Sequence, residues 1–139
     1  MVKGGKKDLG GWLLLYTYMV SLHTTLYFFA TVMFLALDPA YFITSIWFVL
    51  YGTTLTVFVL ALSMIFIRSK KAIVWNIAAM TLGVVVTATS YVLKDQLPSS
   101  LNMMLPSYCL STFIVSTLVS LAWIVYWDTS RRVRNTFGH

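Results

Sequence analysis

The chain has 139 residues, 59% of them hydrophobic and only 10% charged, with a formal net charge of +6 and a mean hydropathy of +0.82. A soluble domain normally carries about a quarter charged residues, so these values exclude a chain surrounded mainly by water and leave lipid as its principal solvent. The lone Cys109 excludes an intramolecular disulfide, and the basic residues lie in short clusters beside apolar runs, a pattern that fits anionic headgroups and not nucleic acid.

Residues 1–11 form a polar, glycine-rich lead bearing Lys3, Lys6 and Lys7, too rich in glycine to hold a helix in water and read as a cytoplasmic tail. From Trp12 to Leu37 there is no formal charge. At 1.5 Å per residue this run reaches ~39 Å, enough to cross a hydrocarbon layer of about 30 Å. It is too long for the apolar region of a cleaved secretory signal, so an uncleaved first span is predicted.

Asp38-Pro39-Ala40 makes a brief turn into a second span over about 41–67, and so short a connection requires antiparallel neighbours. Arg68, Lys70 and Lys71 form a basic loop before a third span over about 72–93. Residues 94–105 are too apolar for a free loop and are read as a short interfacial cover. A fourth span over about 106–127 follows, with Pro106 placed in a first helical turn, and residues 128–139 form a basic tail. The expected fold is therefore all-α: a four-helix membrane bundle over 12–127.

Orientation follows from the positive-inside bias. An amino terminus in the cytoplasm puts nine of the ten basic residues on that side: Lys3, Lys6, Lys7, Arg68, Lys70, Lys71, Arg131, Arg132 and Arg134, with Lys94 opposite. Trp12, Trp75, Tyr126 and Trp127 fall at the inner ends of their spans, and Tyr41, Tyr91 and Tyr108 at the outer ends, as interfacial aromatic belts require. Both termini are expected to be cytoplasmic. The same imbalance separates the chain from small antiparallel-dimer transporters, which insert in both directions, and there is no glutamate to carry a proton exchange of the small-multidrug type.

His23 stands near the middle of the first span, where an ionisable side chain is costly. Tyr16 and Tyr27, seven before and four after it, share its helical face. These three residues form the candidate intramembrane polar site, either as a switch or ligand contact or as a neutral imidazole satisfied inside the bundle. Haem is disfavoured because the other histidine, His139, is the last residue. Ser45, Gly52, Thr56 and Ser63 in the second span, Asn76, Met80, Gly83, Thr87 and Ser90 in the third, and Cys109, Thr112, Ser116 and Ser120 in the fourth recur at helical spacing. They are read as packing faces, with a polar path as the alternative.

The four acids, Asp8, Asp38, Asp95 and Asp128, all lie at or beyond span ends. No carboxylate pair is buried and no zinc, phosphate-loop or nucleophile motif is present, so no catalytic, metal or cofactor-binding residue is assigned and an enzyme is not expected. Asp128 is paired with Arg131 or Arg132 one turn away. In the tail, Val133 and Phe137 are expected to press on lipid while Arg131, Arg132 and Arg134 reach phosphates.

The opening Gly10-Gly11-Trp12-Leu13, the basic loop of Arg68, Lys70 and Lys71, and the closing Ser130-Arg131-Arg132-Val133-Arg134-Asn135-Thr136-Phe137 resemble the DUF2569 family of small four-span bacterial inner-membrane proteins. The resemblance implies that fold and location and brings no catalytic residues. The expected role is a non-enzymatic membrane-organising, partner-binding or lipid-binding protein. Arg68, Lys70, Lys71, Arg131, Arg132 and Arg134 would contact anionic headgroups or an acidic partner, and the expected partners of the bundle are a second copy in a homodimer or another membrane protein. The alternative is a small transporter or channel with a polar path near His23. A filled interior around His23 favours an organising role, and an open one a ligand or solute.

Overall fold

The computed structural model describes residues 11–36, 42–93 and 110–137. The expectations placed on the amino-terminal tail, the turn at 38–40, the interfacial stretch at 94–105, Pro106 and Cys109 lie outside them. Among the described residues there are five helices: α1 (Trp12–Ala36), α2 (Phe42–Phe66), α3 (Ala72–Val92), α4 (Leu110–Thr129) and α5 (Arg131–Phe137). Helices α1, α2 and α3 are each long and apolar enough to cross a membrane. Helix α4 continues into α5 through a bend of 62°, so that the pair makes a fourth candidate span.

These runs become helices because an α-helix satisfies its backbone internally, the one requirement an apolar solvent imposes on every residue. Their hydroxyls follow the same rule. Thr17 donates to the Leu13 carbonyl at 2.8 Å, Thr24 to Val20 at 2.7 Å, Thr56 to Gly52 at 2.9 Å and Ser63 to Val59 at 2.7 Å. A serine or threonine that bonds back one turn needs no partner helix. This explains a difference from the sequence reading: Ser45, Thr56 and Ser63 of α2 face outward, and the buried face of that helix is instead Trp47, Tyr51, Thr54, Phe58, Ala61 and Ile65. Gly52 alone of the expected set sits near a neighbour, Thr31 of α1. The α3 face is as expected, with Asn76, Met80, Gly83 and Ser90 buried.

Helix α3 is the central element, packing on α2 and α4 and touching α5, while α1 packs along α2. The outside is apolar: Trp12, Leu14, Tyr18, Phe29, Val49, Phe66, Leu118 and Val125 are all exposed. Such a continuous apolar exterior marks a surface that meets lipid or another chain.

The α2–α3 turn is closed by two hydrogen bonds, Arg68 N–H to Ile65 at 3.1 Å and Ser69 N–H to Met64 at 3.0 Å. That pair is the Schellman pattern, and the residue at its left-handed position is Arg68, with φ +52°. Gly11 opens α1 with φ +61°, and a Cβ there would lie 3.2 Å from the Arg132 guanidinium. Both conformation and space therefore call for glycine at this position.

The basic end, where α1 begins and α4 ends, is densely filled. Leu13, Tyr16, Ile65, Ala72, Trp127, Val133 and Phe137 share one core there. Val133 and Phe137, expected to press on lipid, are buried in the protein, because the bend after Thr129 turns α5 back under the bundle and sets Phe137 against Trp127 at 5.5 Å. Arg131, Arg132 and Arg134 remain exposed. The pairing expected of Asp128 also differs: Arg134 Nη2 donates to its backbone carbonyl at 2.8 Å, satisfying an acceptor that the end of α4 leaves open. A second core of Phe34, Trp47, Tyr51 and Val86 ties α1, α2 and α3 together towards the other end.

Candidate functional site

Helices α1 and α4 meet through aromatic rings at the basic end, where Tyr16 stands edge-on to Trp123 at 4.8 Å and to Trp127 at 5.1 Å. Beyond that contact they part. A cavity of about 620 Å³ opens between them, with α2 and α3 as its floor. Helix α1 contributes Met19, His23, Tyr27 and Phe34, α2 contributes Tyr51 and Phe58, α3 contributes Met80, Gly83, Val86 and Thr87, and α4 contributes Ser116 and Ser120. Its volume lies in the range of small-molecule pockets, about 300–1,000 Å³.

The cavity faces sideways. Leu26, Phe29 and Met33 of α1 and Val115 and Val119 of α4 line it and are also exposed on the outer surface, so its mouth lies in the apolar flank of the bundle. None of the lining residues carries a formal charge. Gly83 keeps the α3 wall low: a Cβ there would reach Phe58 at 3.6 Å and the Tyr27 hydroxyl at 3.7 Å, and anything larger would enter the space.

The three residues expected to act together fall into two layers. Tyr16 is fully buried below the cavity and donates to Oδ1 of Asn76 at 2.9 Å, while Asn76 Nδ2 donates to the carbonyls of Ala72 at 2.7 Å and Ala61 at 3.3 Å. This network joins α1, α2 and α3 and is structural. His23 and Tyr27 are in the cavity wall. The His23 ring lies parallel to Phe58 at 6.3 Å, and its Nδ1 is 2.9 Å from the Met19 carbonyl. Tyr27 packs on Phe58 at 5.1 Å and Tyr51 at 5.7 Å. Tyr51 in turn shares a hydrogen bond of 3.0 Å with Ser90.

Chemically, the arrangement offers shape, apolar surface and a few polar atoms at mid-helix, closed towards the basic end by Tyr16, Asn76, Trp123 and Trp127. Among the described residues no group of three or more His, Cys, Asp or Glu comes together to hold a metal. The basic residues Lys70, Lys71, Arg131, Arg132 and Arg134 are exposed and Arg68 is half-buried. They belong to the opposite layer from the cavity.

Sequence reasoning singled out His23 and Tyr27 as a candidate polar site and read Gly83, Thr87, Ser116 and Ser120 as packing faces; all six line the cavity. It missed Met19, Leu26, Ala30 and Met33, because an apolar residue lining a cavity has the same signature as one facing lipid. Among the described residues the chain is a small all-helical bundle with a cleft in its flank. No family model matches the chain, and neither a curated protein nor a solved structure matches it.

Proposed function

We propose that this chain is a non-enzymatic lipid-binding protein of the bacterial inner membrane, with four spans and both termini in the cytoplasm. Its cleft takes up the apolar part of a lipid or lipid-soluble molecule directly from the bilayer. The observation that carries the reading is the charge-free cavity whose mouth lies between α1 and α4 in the apolar flank. A ligand reaching it from the side exchanges one apolar surrounding for another and never crosses water, so shape and a few polar contacts decide what is held.

The nine-to-one distribution of basic residues supports the orientation. The exposed arginines of α5 and the lysines of the α2–α3 turn would then lie at the cytoplasmic headgroup layer and hold anionic lipid. The resemblance of the end motifs to the DUF2569 family supports the same location. The filled basic end weighs against a continuous pore and hence against the channel reading.

The test is native mass spectrometry of protein purified from bacterial membranes. Wild type is expected to retain about one lipid per chain after delipidation that strips the surface. Ser116→Phe, which fills the cleft, is expected to lose it, whereas Leu118→Phe on the outer face keeps it. Equal retention by all three proteins would overturn the proposal.

A further inference from the structure

The head chemistry of the ligand follows from His23. A backbone carbonyl can only accept, so the ring nitrogen 2.9 Å from Met19 must donate, and Nδ1 carries the proton. In a neutral imidazole Nε2 then presents a lone pair. No residue among those described supplies a hydrogen-bond donor to Nε2, and the ring borders the cavity.

Resting on the cleft reading above, we propose that the cleft receives a neutral lipid whose head is a hydroxyl, and that this hydroxyl donates a hydrogen bond to Nε2 of His23. The lining disfavours charged heads, and Nε2 discriminates among the neutral ones. A phosphate or carboxylate would meet no cation there, and the propionates of a haem would be stranded in the same way. A head bearing only carbonyl or ether oxygens would set acceptor against acceptor at Nε2. The hydroxyl meets the open acceptor at Nε2, on an imidazole that lies parallel to Phe58 at 6.3 Å.

The test uses full-length protein in nanodiscs and two matched pairs: geranylgeraniol with its methyl ether, and decylhydroquinone with its dimethyl ether. One hydrogen bond makes the hydroxyl member bind about three- to tenfold more tightly than the ether in wild type. His23→Phe, which keeps a flat ring and removes the acceptor, abolishes that difference. In wild type labelled with ¹⁵N-histidine, the Nε2 resonance of His23 moves on adding the hydroxyl compound and stays in place with the ether, a readout that needs no variant to fold. Discrimination in either pair supports the proposal, and the tighter pair names the source as an isoprenoid alcohol or a hydroquinone. Equal binding of alcohol and ether in both pairs, still lost in Ser116→Phe, overturns the hydroxyl assignment and leaves the cleft standing. Binding that Ser116→Phe does not weaken overturns both.

Discussion

At the scale of the residue, the sharpest lesson is that helical spacing gives direction around an axis and says little about depth. Tyr16, His23 and Tyr27 do share a face, but the first lies about 10 Å along the helix from the second. That distance separates a structural hydrogen bond to Asn76 from a cavity wall. Asn76 itself makes three hydrogen bonds from full burial. Asn76→Ala leaves the Tyr16 hydroxyl without its acceptor and is expected to cost about 1–2 kcal/mol of stability, read as a lower melting temperature in detergent. A change within error would remove the network from the account. Arg68 makes the opposite case, since a left-handed conformation strains any residue with a Cβ. Arg68→Gly is expected to raise stability by about 0.5–1 kcal/mol, and a loss would show that the arginine side chain outweighs the strain.

At the scale of the element, the helices were legible because long charge-free runs have no other stable form in lipid, and the helix ends seen within the described residues, at 12, 66, 72 and 92, fall within a residue of those expected. Which face each helix buries was harder to read. In α2 Thr56 and Ser63 bond to their own backbone and face outward, while Thr54 bonds in the same way and is buried, so a small polar residue gave no sign of the packing side. In α5 an apolar pair four apart among arginines has one signature whether it meets lipid or protein, and the bend after Thr129 decides for protein. Phe137→Ala should therefore cost about 3–5 kcal/mol, as a core truncation does, and make the tail protease-sensitive at Arg134. Phe66→Ala, on an exposed side chain, should leave both unchanged. If the two variants behave alike, α5 is not seated as described.

At the scale of the whole molecule, two differently built ends share one bundle. The basic end is filled and carries the exposed arginines; the remainder opens between α1 and α4. If the basic end lies at an anionic surface, Arg131→Gln, Arg132→Gln and Arg134→Gln together lose about 1 kcal/mol per charge of lipid preference. Spin-labelled anionic and zwitterionic lipids compared in reconstituted protein measure this, and an unchanged preference would detach the tail from that role. A cleft of this kind was not legible in the sequence, because it arises where α1 and α4 diverge beyond the contact of Tyr16 with Trp123 and Trp127, and residue spacing along a helix does not record its distance from another. The most direct measurement of the central claim is photolabelling in proteoliposomes with a lipid bearing a diazirine on its acyl chain, followed by mapping of the adducts. The cleft predicts labelling of its deep α3 wall, at Gly83, Val86 or Thr87, suppressed in Ser116→Phe; adducts confined to outward residues such as Phe66, Leu118 and Val125, with none on that wall, would contradict it.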